Sequence, residues 1–149
     1  MNKKYLIYIG LAIISGAILG NSFYKKYVNE QNLEKEYNSY LLQLGIFDNE
    51  EEMNKELLGI NDYIVIEKNK KFYVYLGVST EKKNVAKLQE VFLDKDINTS
   101  IKKTVIDNIE FINSLEQFDL LLDSVSTNED IMSINEVILS SYEEMVLDS

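Results

Sequence analysis

The chain has 149 residues, fifteen lysine or arginine against twenty-five acidic, for a net charge of −10. It has no cysteine and no histidine, which excludes disulfides, a lipid-bearing thiol, the usual general base and the commonest metal ligand. The acidic balance also argues against nucleic acid, whose phosphates select a basic surface.

Residues 5–24 carry no charge and are mostly large and apolar. Twenty residues at about 1.5 Å of rise each match the roughly 30 Å hydrocarbon core of a bilayer. Lys3 and Lys4 precede this run, and Lys25 and Lys26 follow it. Tyr5, Tyr8, Phe23 and Tyr24 stand near its ends, where amphipathic rings favour the interface. The pattern predicts a single-pass anchor in the cell membrane, with an extracytoplasmic C-terminal body. A cleaved signal peptide is the alternative, but bulky Leu19 makes Ala17-Ile18-Leu19 a poor processing site. Gly16 and Gly20 form a small-xxx-small pair suited to contact between membrane helices. Residues 25–39 read as a polar juxtamembrane stalk.

From 40 to 106 the chain repeats itself. Leu42-Gln43-Leu44-Gly45-Ile46 returns as Val74-Tyr75-Leu76-Gly77-Val78. Each copy alternates apolar residues as a half-buried strand does, and an amphipathic helical stretch and a second β-prone run follow each. Strands are expected at 40–47, 62–67, 72–78 and 99–106, with helices at 50–58 and 80–95. Lys68-Asn69-Lys70 reads as a hairpin turn. The order βαββαβ predicts a ferredoxin-like antiparallel sheet with both helices on one face.

Residues 107–149 differ again. From Thr104 onward eleven residues are acidic and none is lysine or arginine, which leaves residues 1–103 at +1. Apolar residues recur at helical spacing, as Phe111, Leu115, Phe118, Leu122 and Val125 and then Ile131, Ile134, Ile138, Tyr142 and Met145. Thr127 and Asp130 form a capping-box pattern between the two runs. An acidic helical hairpin is expected. The fold class is thus α+β: an N-terminal transmembrane helix, a ferredoxin-like domain and a C-terminal hairpin.

A sheet covered on one side leaves the other free. Strict alternation puts Leu42, Leu44, Val74, Leu76, Ile64 and Ile66 on the covered side. It leaves Gln43, Tyr63, Tyr73 and Tyr75 on the free side, with Val65 and glycines. Phenol rings and an amide suit a ligand with flat apolar patches and hydroxyls, such as a sugar chain. The competing reading has the hairpin pack over these tyrosines, because its apolar stripe needs a partner.

Gln43-Leu44-Gly45-Ile46-Phe47 resembles the Gln-x-Gly-x-Phe opening of the SPOR (sporulation-related) repeat domain, and Tyr73-Val74-Tyr75-Leu76-Gly77 resembles its later strand. The resemblance covers residues 36 to 106. It implies a bacterial envelope module that binds peptidoglycan glycan strands, favouring strands stripped of stem peptides, in sporulation or cell division. It makes Gln43 a glycan contact, with Tyr73 and Tyr75 nearby; alternation adds Tyr63 to the same candidate glycan-binding set. Val78-Ser79 and Asp96 depart from the family pattern, which often has proline-phenylalanine and glycine there.

Two further functions compete. Residues 107–149 could dock a protein partner in an envelope complex. The βαββαβ order with central aromatics also describes RNA-binding sheets, but the acidic charge opposes it. Enzymatic chemistry has little support. The Glu50-Glu51-Glu52 run is explained by the helix dipole, serines lack a histidine base, and no phosphate loop or metal-ligand spacing occurs. A non-catalytic binding protein without cofactor or metal is expected.

Overall fold

The computed structural model describes residues 37–147. Strand β1 (Tyr37–Phe47) is followed by helix α1 (Glu50–Glu56), β2 (Ile64–Lys68), β3 (Lys71–Ser79), α2 (Lys82–Leu93), β4 (Ser100–Ile106), α3 (Ile109–Ser124) and α4 (Asn128–Leu147). The four strands form one sheet in the order β2-β3-β1-β4, and each neighbouring pair is antiparallel.

Local chemistry sets several boundaries. The Asn49 side chain accepts from the Glu52 amide at 2.9 Å, and Glu50, Glu51 and Glu52 complement the positive end of α1. The β2–β3 turn holds Asn69 and Lys70 at φ of 54° and 61°. Two consecutive left-handed residues match a type I′ hairpin, whose twist fits the flanking strands. Asp96, where the SPOR pattern often has glycine, takes φ 59° in the turn after α2, a conformation aspartate tolerates. The Asn108 side chain accepts from the Phe111 amide at 2.9 Å and starts α3. Thr127 Oγ1 accepts from the Asp130 amide at 3.2 Å and donates to the Asp130 carboxylate at 2.7 Å, so Thr127 caps the start of α4.

The expected fold class requires correction. The chain runs βαββαβαα, and its last two helices are built into the sheet's own core. Leu42, Val74, Leu76, Val85, Leu88 and Phe92 join Ile112, Leu115, Leu122, Ile134 and Ile138 in one buried cluster. Helices with apolar stripes this wide cannot stay apart from the nearest apolar surface. Among the described residues no helix is long and apolar enough to cross a membrane. The expected location, a single-pass chain with an extracytoplasmic domain, thus finds no spanning helix among the described residues. Residues 5–24, with Gly16 and Gly20, lie outside the described residues. β1 begins at Tyr37, so it takes in residues assigned to the stalk.

Candidate functional site

The face bearing the tyrosines is read from strand register. Directly paired residues of antiparallel strands share a face, and alternate residues along a strand return to it. Tyr75 pairs with Ile64 on one side and Gln43 on the other. Tyr73 pairs with Ile66 and Ile46 in the same way. Lys71 pairs with Lys68 across the hairpin. Three rows therefore lie on one face: Gln43–Tyr75–Ile64, then Ile46–Tyr73–Ile66, then Lys71–Lys68 at the tip.

This map differs from the alternating pattern expected. Ile64 and Ile66 sit with Tyr73 and Tyr75, and Ile46 joins Tyr73. Register shifts between Leu42 and Gln43, and between Gln43 and Gly45, break the period-two pattern of β1. A one-residue slip moves a side chain to the opposite face. Tyr63 is 38% exposed, but it precedes β2 and lies outside its ladder.

The rows differ in access. Gln43 is 8% exposed, Ile64 is buried and Tyr75 is half-buried. Burial holds the Tyr75 phenol above its ordinary pKa, and neighbouring Tyr73 adds to the effect. Tyr142 of α4 is raised by its own burial and then by Tyr75, and its ring centroid lies 5.5 Å from that of Phe111 in α3. Phe111 and Tyr142 thus join the two C-terminal helices, and Tyr75 packs against the core that holds them both. The second row stays open: Ile46 is 47% exposed, and Tyr73 and Ile66 are half-buried.

Polar contacts fix the helices to the sheet. Asp119 of α3 is 4% exposed and accepts from Ser79 Oγ, from the Thr80 amide at 3.0 Å, from Thr80 Oγ1 at 2.6 Å and from Asn84 Nδ2 at 3.0 Å. Lys87 Nζ donates to the carbonyls of Leu122 and Val125 at 2.5 and 2.6 Å, which satisfies the end of α3. Asn135 Nδ2 donates to the Leu76 carbonyl at 2.8 Å. Leu76 is the residue skipped between the pairs at Tyr75 and Gly77. Gly77 is no part of an open floor: a Cβ there would lie 2.9 Å from Leu88 Cδ1 and 3.2 Å from Asn135 Oδ1.

Lys71 is ion-paired with Asp48 at 3.0 Å, and that bond holds its ammonium above its ordinary pKa. Lys68 is exposed and makes no ion pair among the described residues. Glu143 and Glu144, which follow Tyr142 in α4, are exposed. A separate cleft of about 370 Å³ opens between Asp62, Lys95 and the first turns of α4, including Glu129 and Glu136. Among the described residues no group of three or more His, Cys, Asp or Glu could hold a metal ion.

Sequence reasoning missed Ile46, Ile66, Lys68 and Lys71 on this face, and Asp119 and Asn135 beneath it. The Lys68-Asn69-Lys70 turn signalled the tip, but nothing in the spacing announced the register shifts.

No protein-family model and no curated protein matches the chain. Among solved structures it is similar to the peptidoglycan-binding domain of the B. subtilis cell wall lytic enzyme CwlC, with 17% identity and a TM-score of 0.41 over 49% of this chain and 98% of that one.

Proposed function

We propose that this chain is a non-catalytic module that binds peptidoglycan glycan strands at the open end of its sheet. One observation carries the reading: the row Ile46–Tyr73–Ile66 offers an accessible phenol ring between two aliphatic side chains on adjacent strands. Such a surface suits the apolar face of a sugar ring, with the tyrosine hydroxyl free to bond its hydroxyls. The resemblance of Gln43 to Phe47 to the SPOR opening selects peptidoglycan among glycans. Gln43 and Tyr75 then support the row from beneath the helices, and Tyr73 makes the contact.

Co-sedimentation of the full-length chain with purified sacculi, intact and amidase-treated, tests this. Retention on amidase-treated sacculi, weakened about tenfold by Tyr73→Ala with unchanged circular dichroism, is the expected result. Failure to sediment with either preparation refutes it.

A second reading draws on α3 and α4. Leu120 is 63% exposed between acidic Glu116 and Asp123, on a segment without lysine or arginine. That surface suits a basic protein partner.

A further inference from the structure

β1 and β3 keep one continuous register except at a single step. The pairs Tyr40–Ser79, Leu41–Val78 and Leu42–Gly77 follow it, and so do Gly45–Val74, Ile46–Tyr73 and Phe47–Phe72. Unbroken, that register would set Gln43 against Leu76 and Leu44 against Tyr75. Instead Gln43 pairs with Tyr75, and Leu44 and Leu76 are both passed over. The alternation of Leu42, Leu44 and Ile46 suits an unbroken strand, so nothing local to β1 calls for the excursion.

The cause lies in α4. A buried residue passed over by a ladder still needs a donor for its carbonyl. Leu76 is fully buried, and Asn135 Nδ2 supplies that donor at 2.8 Å. Asn135 is itself fully buried, and among the described residues its Oδ1 has no hydrogen-bond partner. A half-satisfied amide weakens a core, and a leucine of similar size would suit the apolar cluster better. Gly77 admits the contact, since a Cβ there would lie 3.2 Å from Asn135 Oδ1. A buried polar group kept at a cost in stability is best accounted for where it fixes a register. We propose that Asn135 is a positioning residue: by bonding the Leu76 carbonyl it keeps that residue out of the β1–β3 ladder, and so stands Gln43, rather than Leu44, beside Tyr75. Release of α4 resets the strands to the continuous register and turns Gln43 to the opposite face. The last helix thereby decides whether an amide or an aliphatic side chain borders Tyr75, independently of any ligand.

NMR of the isotope-labelled full-length chain tests this. The wild-type chain is expected to show cross-strand contacts between backbone protons of Gln43 and Tyr75. It is also expected to show a scalar coupling across the hydrogen bond from Asn135 Nδ2 to the Leu76 carbonyl carbon. Asn135→Leu, and the smaller Asn135→Ala, are expected to lose the Gln43–Tyr75 contacts and to gain Leu44–Tyr75 and Gln43–Leu76 contacts. The flanking pairs Leu42–Gly77 and Gly45–Val74 stay in place. Asp119→Ala, which loosens the helices at another seam, is expected to keep the wild-type pattern, because lost stability alone does not shift register. Absence of the Asn135–Leu76 coupling in the wild-type chain overturns the proposal. So does a Gln43–Tyr75 pair that survives both Asn135 variants, or a reset that Asp119→Ala causes equally. Failure of both Asn135 variants to fold overturns it too, since the continuous register would then be inaccessible.

Discussion

Replacing Asp119 by alanine is the most informative perturbation of the fold. Its carboxylate accepts from four donors in the seam between α3 and the β3–α2 junction. Two of those donors keep a second acceptor: Ser79 Oγ retains the Glu81 carbonyl at 3.0 Å, and Asn84 Nδ2 retains the Asp119 backbone carbonyl at 3.2 Å. The amide and hydroxyl of Thr80 lose theirs. Bonds to a charged acceptor contribute about 1.5–3 kcal/mol each, and an orphaned buried donor costs about 1–3 kcal/mol. Relief through the retained partners and the half-buried position of Thr80 brings the expected loss to about 3 kcal/mol. At about 2.1 cal/mol/K per residue for a domain of this size, that lowers Tm by about 10–15 °C. The chain has no tryptophan, so urea unfolding is followed by far-UV circular dichroism and by tyrosine fluorescence. Because sheet and C-terminal helices share one core, both signals should move together in one transition. A loss under about 1 kcal/mol, or an early transition in which only helix melts, would show that α3 and α4 are not fastened to the sheet as described.

Other substitutions probe separate contacts. Gly77→Ala should cost about 1–3 kcal/mol in chemical denaturation, because the new methyl meets Leu88 at 2.9 Å; a neutral result would mean the α2–α4 junction yields freely. Lys70→Gly should stabilise by about 0.5 kcal/mol, since glycine relieves the left-handed second position of the turn, and destabilisation in the same assay would contradict the turn type. The Tyr142 phenol has a raised pKa in the folded chain. Its contribution is therefore complete below the unfolded value of about 10 and is lost as pH climbs through the folded value. Tyr142→Phe should push the alkaline unfolding midpoint upward, and an unmoved midpoint argues that another group sets it.

Much of the chain's local structure could be read directly from residue order. The helix cap at Thr127, the left-handed turn at Asn69 and Lys70, and the two strand–helix–strand copies all rest on interactions within a few residues. What escaped notice depends on partners far along the chain. The shifts flanking Gln43 exist only because β1 must match β3, and they moved Ile46 to the side of Tyr73; Ile64 and Ile66 stand there through the regular β2–β3 register. Asp119 reads as one more acid on an acidic helix until Ser79 and Asn84 are brought to it. The copies also diverge, since α1 has 7 residues and α2 has 12. Alternation was a fair guide to which residues are apolar, but it could not say which surface of a distorted strand they occupy.

Lys87 of α2 closes the end of a helix that begins more than twenty residues later in the chain. Severing the polypeptide after Ile106 would strand that ammonium, leave the Leu76 carbonyl without its amide and remove Phe111, Ile112, Leu115 and Tyr142 from the shared core. The doubled unit is thus half of an indivisible whole, and any attempt to graft the hairpin tip of its sheet onto another protein must carry the acidic helices with it.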